Sequence, residues 1–321
     1  MLFMAAGRSS VMSKVRSRRS VRMGMERSLP PRTAGRTVPR ARRWRHGYCG
    51  ATGIGRVRMA DFEYAVDGQI GVMRFNRPEK MNAITYEMLA EIEDAIRQAG
   101  TDERVRAVVL TGVGRAFSAG TDLQQLSSQP PSTGRGESYA NSYASARPAP
   151  WTFASIAKPT VAAVNGAAVG LGVEFTLQCD FRIAAESARF GWVFVHRGLV
   201  PDTAAGTWLL SRIVGLQNAA YLLYSGEIIS ATRALEIGYV HEIVPDAELV
   251  ERSMQFAHSV SRGSPLATGE VKRLLYRSLA RDAVDHVKDS TEALTRMFAS
   301  EDFTEGVQAF LEHRQPNWKG R

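Results

Sequence analysis

The chain has 321 residues, 44% of them apolar, so it is too long for a small stapled domain and can bury a sizeable core. Its two cysteines, Cys49 and Cys179, exclude a disulfide framework and fit no zinc-site spacing, which makes a reducing compartment the expectation. The net charge of +9 would suit a nucleic-acid binder, but its distribution argues against a basic surface.

Residues 1–58 hold 14 Arg and one Lys against a single acid, Glu26, a net +14. The rest of the chain therefore carries −5. This first stretch is rich in Arg, Ser, Gly and Pro and has no apolar period, so it is expected to be a disordered extension. Three origins stay open: a presequence, a polybasic arm for anionic partners, or a start codon upstream of the true one. Pro30-Pro31 and the lack of an amphipathic helix weigh against the presequence. A cytoplasmic location is expected, with mitochondrial-type targeting only if the extension is real. No run of about 18 apolar residues is present, so no membrane helix is expected.

The pattern changes at Met59. Residues 62–66 alternate like a strand, Asp67-Gly68 is a type I′ turn signal, and 69–75 alternate again, which predicts a hairpin. Met88, Leu89, Ile92, Ala95 and Ile96 share one face of a helix over 85–98. Residues 105–110 form an apolar strand, 112–123 a glycine-containing loop, and 124–150 a polar, mobile insertion. Another apolar strand spans 159–164. Asn165-Gly166 then turns the chain toward a helix over 170–178, followed by a strand at 181–184. From about 204 the pattern is mainly helical. Ser300 has the character of an N-cap, and Phe303, Val307, Phe310 and Leu311 follow as a stripe that Pro316 ends. Strands alternating with helices predict an α/β fold with a helical C-terminal region. The expected division is an extension over 1–58, an α/β core over 59–255 and a helical region over 256–321.

Three segments could carry chemistry. Residues 116–123 (AFSAGTDL) follow a strand, and their small side chains let backbone N–H groups approach a ligand; a plain strand-to-helix turn is the bland alternative. Residues 165–174 (NGAAVGLGVE) put glycines before a helix whose free N–H groups suit a negative oxygen. Glu174 then sits among apolar neighbours, either matching the helix dipole or acting as an acid/base group. In residues 198–206 (GLVPDTAAG), Asp202 or Thr203 could cap the next helix. His196 fits a structural role. Taken together, two donor-bearing turns and a carboxylate meet the needs of a thioester enolate: two N–H groups on one oxygen and a base beside the acidic carbon.

The residues Asn76-Arg77-Pro78-Glu79-Lys80-Met81-Asn82-Ala83, Phe117 to Leu123, Lys158 to Glu174, Cys179-Asp180 and Arg314 to Gly320 resemble the crotonase superfamily, the enoyl-CoA hydratase/isomerase family. The resemblance spans about 61–321. It implies a spiral of ββα units, C-terminal helices that pack trimers or hexamers, and an acyl-CoA thioester as substrate. No metal or redox cofactor is implied, because coenzyme A is part of the substrate. By match, the oxyanion donors are the N–H groups of Thr121 and Leu171. Met81 and Ala83 line the CoA site, and Ala119, Gly120, Asp122, Leu123, Gly170 and Phe194 contribute to substrate binding. Phe310 and His313 match positions that reach CoA near a subunit interface.

The sequence also departs from the family. Leu171 stands where many members carry glycine. Hydratases resemble one another in a pair of glutamates; Glu174 matches the first, and the second falls at Phe194, which cannot transfer protons. Asp202 matches the acid/base of the superfamily's double-bond isomerases, which include the dienoyl-CoA, peroxisomal-type enoyl-CoA and epoxyphenylacetyl-CoA isomerases. The leading expectation is an enoyl-CoA isomerase that uses Asp202 and Glu174. Its rivals are a hydratase with the same two carboxylates around water, a non-catalytic acyl-CoA or protein-binding module, and a nucleic-acid role for the tail.

Overall fold

The computed structural model describes residues 61–128, 149 and 151–321. The basic extension, Cys49 and residues 129–148 and 150 of the polar insertion lie outside the described residues.

The chain opens with the hairpin β1 (Phe62–Asp67) and β2 (Ile70–Phe75), paired from Phe62↔Phe75 to Asp67↔Ile70. The turn centres on Gly68-Gln69, one residue later than expected, with Gly68 at φ +60°. A glycine at the first central position is the type II′ arrangement and corrects the type I′ expectation. Helix α1 (Tyr86–Thr101) follows, with the Thr85 hydroxyl accepting from Met88 N–H as its cap. Its buried face is Met88, Ile92, Ala95, Ile96 and Ala99.

Successive strands then alternate between two sheets. The strands β3 (Ala107–Gly112), β5 (Thr160–Val164) and β7 (Phe181–Ala185) join β1 and β2 in a six-stranded sheet of order β1-β2-β3-β5-β7-β10, where β10 is Glu242–Val244. All its neighbours beyond the first hairpin are parallel. The strands β4 (Ala116–Ser118), β6 (Ala167–Val169) and β8 (Arg189–Gly191) form a second sheet with β9 (Ile228–Ser230). A long strand, a short strand and a helix recur twice: β3, β4 and α2 (Leu123–Ser128), then β5, β6 and α3 (Leu171–Gln178). This is the expected spiral of ββα units. The three-residue strands leave no mark in the sequence, because a period of two cannot show in so few residues.

The six-stranded sheet is covered on both faces, as near-continuous apolar strands require. One face packs Met73, Phe75, Leu110, Ala162 and Val164 into the larger core with Phe117, Phe153, Phe175 and α1. The other packs Ile70, Val72, Val109, Val161 and Ile183 against Leu249, Phe256 and Ala257 of a later helix, Leu249–Val260. The helices after the third unit are α4 (Ala205–Trp208), α5 (Leu210–Val214), α6 (Leu216–Ser225), α7 (Ala231–Glu236) and α8 (Leu249–Val260). The chain closes with α9 (Pro265–Ser278), α10 (Ala283–Phe298) and α11 (Glu301–Leu311). Ser300 caps α11 by accepting from Phe303 N–H. No helix among the described residues is long and apolar enough to cross a membrane.

Asp180 fastens α9 to the sheet. Its Oδ2 accepts from Thr160 N–H at 2.8 Å, the Thr160 hydroxyl at 2.9 Å and Lys272 Nζ at 2.8 Å. Its Oδ1 accepts from the Tyr276 hydroxyl at 2.9 Å.

Candidate active site

The site begins at two adjacent parallel strands. β4 and β6 pair through Ala116↔Ala167 and Ser118↔Ala168, and each runs directly into a small-residue turn. The first turn is Ala119-Gly120-Thr121 and the second is Gly170-Leu171. Gly120 sits at φ +90° and Gly170 at φ +56°, where a side chain would be strained.

The turns interlock. A Cβ on Gly120 would lie 2.7 Å from the Val169 carbonyl oxygen and 3.1 Å from the Leu171 nitrogen. A Cβ on Gly172 would lie 2.5 Å from the Ser118 carbonyl oxygen. This close approach brings the Thr121 and Leu171 turns together at the carboxyl ends of their strands. Leu171 is the first residue of α3, so its N–H has no acceptor within the helix. Among the described residues neither Thr121 N–H nor Leu171 N–H has a protein acceptor.

Asn82 holds the first turn from below. It is buried, adopts φ +56°, and donates from Nδ2 to the carbonyls of Val113, Ala116 and Phe117 at 3.0, 2.8 and 3.2 Å. Its own carbonyl accepts from the Ser118 hydroxyl at 2.8 Å, and that hydroxyl accepts from Gly120 N–H at 3.1 Å. Met81 stands beside Asn82, with its carbonyl accepting from Ala119 N–H at 2.9 Å. The Ala83 carbonyl accepts from Arg77 Nη1 at 3.1 Å, and the same nitrogen donates to Asp122 Oδ2 at 2.7 Å. The structure thus joins Met81, Ala83, Ala119, Gly120, Asp122 and Gly170 around the two turns.

The Asp122 carboxylate is already occupied. Its second oxygen accepts from Gln124 and Gln125 N–H at the start of α2, and Arg77 holds its pKa below the usual range. Leu123 follows as the first residue of α2 and is exposed. Phe194 is buried in a 3-10 turn, Val193–Arg197, that ends at Gly198. His196 Nε2 lies 2.8 Å from the Ser225 carbonyl oxygen. Phe310 is exposed on α11 and His313 follows that helix at φ +53°. Their helix is anchored by Asp302, which accepts from the Ser264 hydroxyl and from Lys319 and Gly320 N–H. The structure does not bring these two residues together with the donor turns.

Two carboxylates remain. Glu174 is fully buried, and its Oε1 accepts from Trp192 Nε1–H at 3.1 Å. Its Oε2 accepts from the Thr203 hydroxyl at 2.6 Å and Gly206 N–H at 3.0 Å. Burial pushes its pKa up to about 7, opposed by these donors and assisted by the charge of Asp202. Asp202 is exposed as a residue, at the turn before α4. Crowding of its carboxyl pushes its pKa up to about 6, while the Thr121 side chain and nearby backbone N–H groups favour the ionised form. Water reaches this residue and opposes part of that rise. Asp202 therefore stands beside one of the two donor residues, with a pKa raised above the usual carboxylate range.

Asn82, Ser118, Trp192, Thr203 and Gly206 take part in the site but were not among the expected site residues. Only their neighbours gave a signal: Asn82 lies between Met81 and Ala83, and Thr203 follows Asp202.

Residues 47–321 match the model of a protein family described as enoyl-CoA hydratase/isomerase. The chain is 34% identical to 2,3-dehydroadipyl-CoA hydratase of Escherichia coli K12 over 251 residues, covering 78% of this chain and 95% of that protein. It is also 34% identical to 1,2-epoxyphenylacetyl-CoA isomerase of the same strain over 259 residues, 80% of this chain and 97% of that protein. Among solved structures, an enoyl-CoA hydratase subunit from Geobacillus kaustophilus superposes with a TM-score of 0.72 at 32% identity, covering 81% of this chain and 98% of that one. Fold, donor turns and sequence agree, and the chain belongs to the enoyl-CoA hydratase/isomerase family, the crotonase superfamily, whose substrates are acyl-CoA thioesters.

Proposed function

We propose that this enzyme shifts a double bond in an enoyl-CoA thioester through an oxyanion-stabilised dienolate. The observation that carries the reading is the contact of Asp202 with the Thr121 side chain; the resemblance adds that Phe194 falls where hydratases carry their second glutamate. The thioester oxygen accepts from Thr121 N–H and Leu171 N–H. Asp202 removes the proton that the carbonyl acidifies, and the two N–H groups hold the negative charge that appears on oxygen. Each such donor typically lowers the barrier by about 3–4 kcal/mol. Met81 and Ala83 line the CoA path, and Phe310 and His313 reach CoA near a subunit interface. Apolar side chains left exposed on the last helices, among them Leu275, Val287, Phe298 and Phe310, support self-association as a trimer or a pair of trimers. The test supplies a 3-enoyl-CoA and follows the conjugated thioester absorbance. Wild type is expected to turn it over, and Asp202→Asn to lose about a hundredfold or more; equal rates would remove Asp202 from the reaction.

A hydratase is the second reading. It is supported by the charge of Asp202, which helps to raise the pKa of Glu174, and by the hydratase names of several relatives. Rapid loss of the conjugated absorbance of crotonyl-CoA in water, with little turnover of 3-enoyl-CoA, would favour it.

A further inference from the structure

Glu174 has no free face. Its two carboxylate oxygens take three hydrogen bonds, from Trp192, Thr203 and Gly206, and the side chain is fully buried. A Cβ on Gly206 would lie 2.5 Å from Glu174 Oε1, so α4 packs directly on the carboxylate.

Two of the three donors, Thr203 and Gly206, lie within four residues after Asp202, one in its turn and one in the first turn of α4. Thr203 is the next residue, and it is held at three points. Its hydroxyl donates to Glu174 and accepts from Ala205 N–H at 3.3 Å, and its carbonyl accepts from Trp151 Nε1–H at 3.2 Å. Ala204 adopts φ +59°, an unfavourable region for alanine, between two residues that Glu174 anchors. To exchange a proton with a substrate carbon, Glu174 would have to leave these partners and strand buried donors.

From these contacts we infer that Glu174 is a positioning residue that fixes the Asp202 turn, and that Asp202 alone carries the proton in both directions. The inference rests on the isomerase reading above. The Asp202 carboxylate takes a proton from the α carbon of a 3-enoyl thioester. The C–H electron pair enters a dienolate whose charge lies on the thioester oxygen, between the two N–H donors. The Asp202 carboxylic acid then returns the proton to the γ carbon. The 3,4 double bond is consumed, the 2,3 double bond forms, the carbonyl is restored and the carboxylate is regenerated. Trp192 and Thr203 act through Glu174 and are positioning residues in the same sense.

The test runs the reaction in deuterium oxide with wild type, Glu174→Gln and Asp202→Asn, reading kcat, KM, the pH profile and deuterium at the α and γ carbons. Glu174→Gln is expected to lower kcat about ten- to a hundredfold by misplacing the base. The acid limb of its pH profile and the ratio of α to γ deuteration stay as in wild type. Isomerisation without deuterium uptake in both proteins supports the inference equally, because it reports internal return by one acid. A Glu174→Gln enzyme that still exchanges at the α carbon but no longer at the γ carbon would overturn it. Failure of wild type to isomerise or exchange any 3-enoyl thioester sinks the isomerase reading instead. If Glu174→Gln does not fold, Thr203→Val and Thr203→Ser decide. Thr203→Val should lose about tenfold in kcat with KM held within about twofold, and Thr203→Ser should restore kcat. A wild-type kcat in Thr203→Val would overturn the inference.

Discussion

Gly120 and the Leu171 amide stand so close that a Cβ on Gly120 would come within 3.1 Å of the Leu171 nitrogen. The same Cβ would lie 2.7 Å from the Val169 carbonyl oxygen, at a φ of +90°. Gly120→Ala must therefore push the two turns apart. If both amides serve one oxygen, separating them removes the shared site while the core stays packed. The expected result is a loss of about a hundredfold in kcat/KM, the size reported for one lost oxyanion donor. Steady-state kinetics beside a circular dichroism melt checks it. A variant with normal activity would show that the two amides do not act together.

Activity should fall on the acid side. Asp202 is pushed up to about 6, and the proposed reaction needs its carboxylate. Protonation below that pH removes the base, so kcat/KM should decline tenfold per pH unit below about 6. The comparison is a pH profile from 5 to 9, flat above the limb. A profile flat through pH 5 would remove a base of this pKa from the mechanism.

Glu174 predicts the opposite slope for stability. Its folded pKa of about 7 lies above the ordinary glutamate value of 4.5. Between these values the folded protein binds the proton more tightly than the unfolded chain does. The contribution of Glu174 is thus fully present below about 4.5 and is lost as the pH rises through 7. The span amounts to on the order of 3 kcal/mol. Denaturant titrations from pH 5 to 8 should show wild type losing stability relative to Glu174→Gln. A constant difference between the two would contradict the raised pKa.

Asp180 and Lys272 predict a large loss and a partial rescue. Lys272 is buried and donates to Asp180 at 2.8 Å and to the Lys158 carbonyl at 3.0 Å. Asp180→Ala leaves a buried ammonium with one partner fewer, which costs about 3–5 kcal/mol. Asp180→Ala with Lys272→Met removes both charges and should recover part of that loss. Thermal melts of the wild type, both single variants and the pair form the cycle. Strict additivity would mean that the ion pair is not what ties α9 to the sheet.

The elements that could be read ahead of the structure are those whose burial repeats. Met88, Ile92, Ala95 and Ile96 share a helical face, and the unbroken apolar run of 105–110 marks a central strand. β4, β6 and β8 have three residues each, and their pairing depends on partners far along the chain. Nothing local distinguishes them from a loop. The first hairpin shows the same limit, since pairing places the turn one residue beyond the Asp67-Gly68 signal. At the site, the glycines of 116–123 and 165–174 were visible because close approach demands small residues. The part of Asn82 was not. It depends on a positive φ and on carbonyls 31 to 35 residues away, which the fold alone gathers. The anchoring of Thr203 to Glu174 likewise spans 29 residues.

Alternation of strands between the two sheets divides the proposed chemistry between separate stretches of chain. Two successive coils of the spiral each deliver a turn to one rim, and in the proposed reaction the thioester grip is shared between them. Asp202 arrives separately, on the segment that follows the third coil. The hold on the common CoA ester and the placement of the base are thus carried by different stretches of chain. The two stretches meet where Glu174 of α3 holds Thr203 and Gly206, so a change at the base reaches the grip through that one helix.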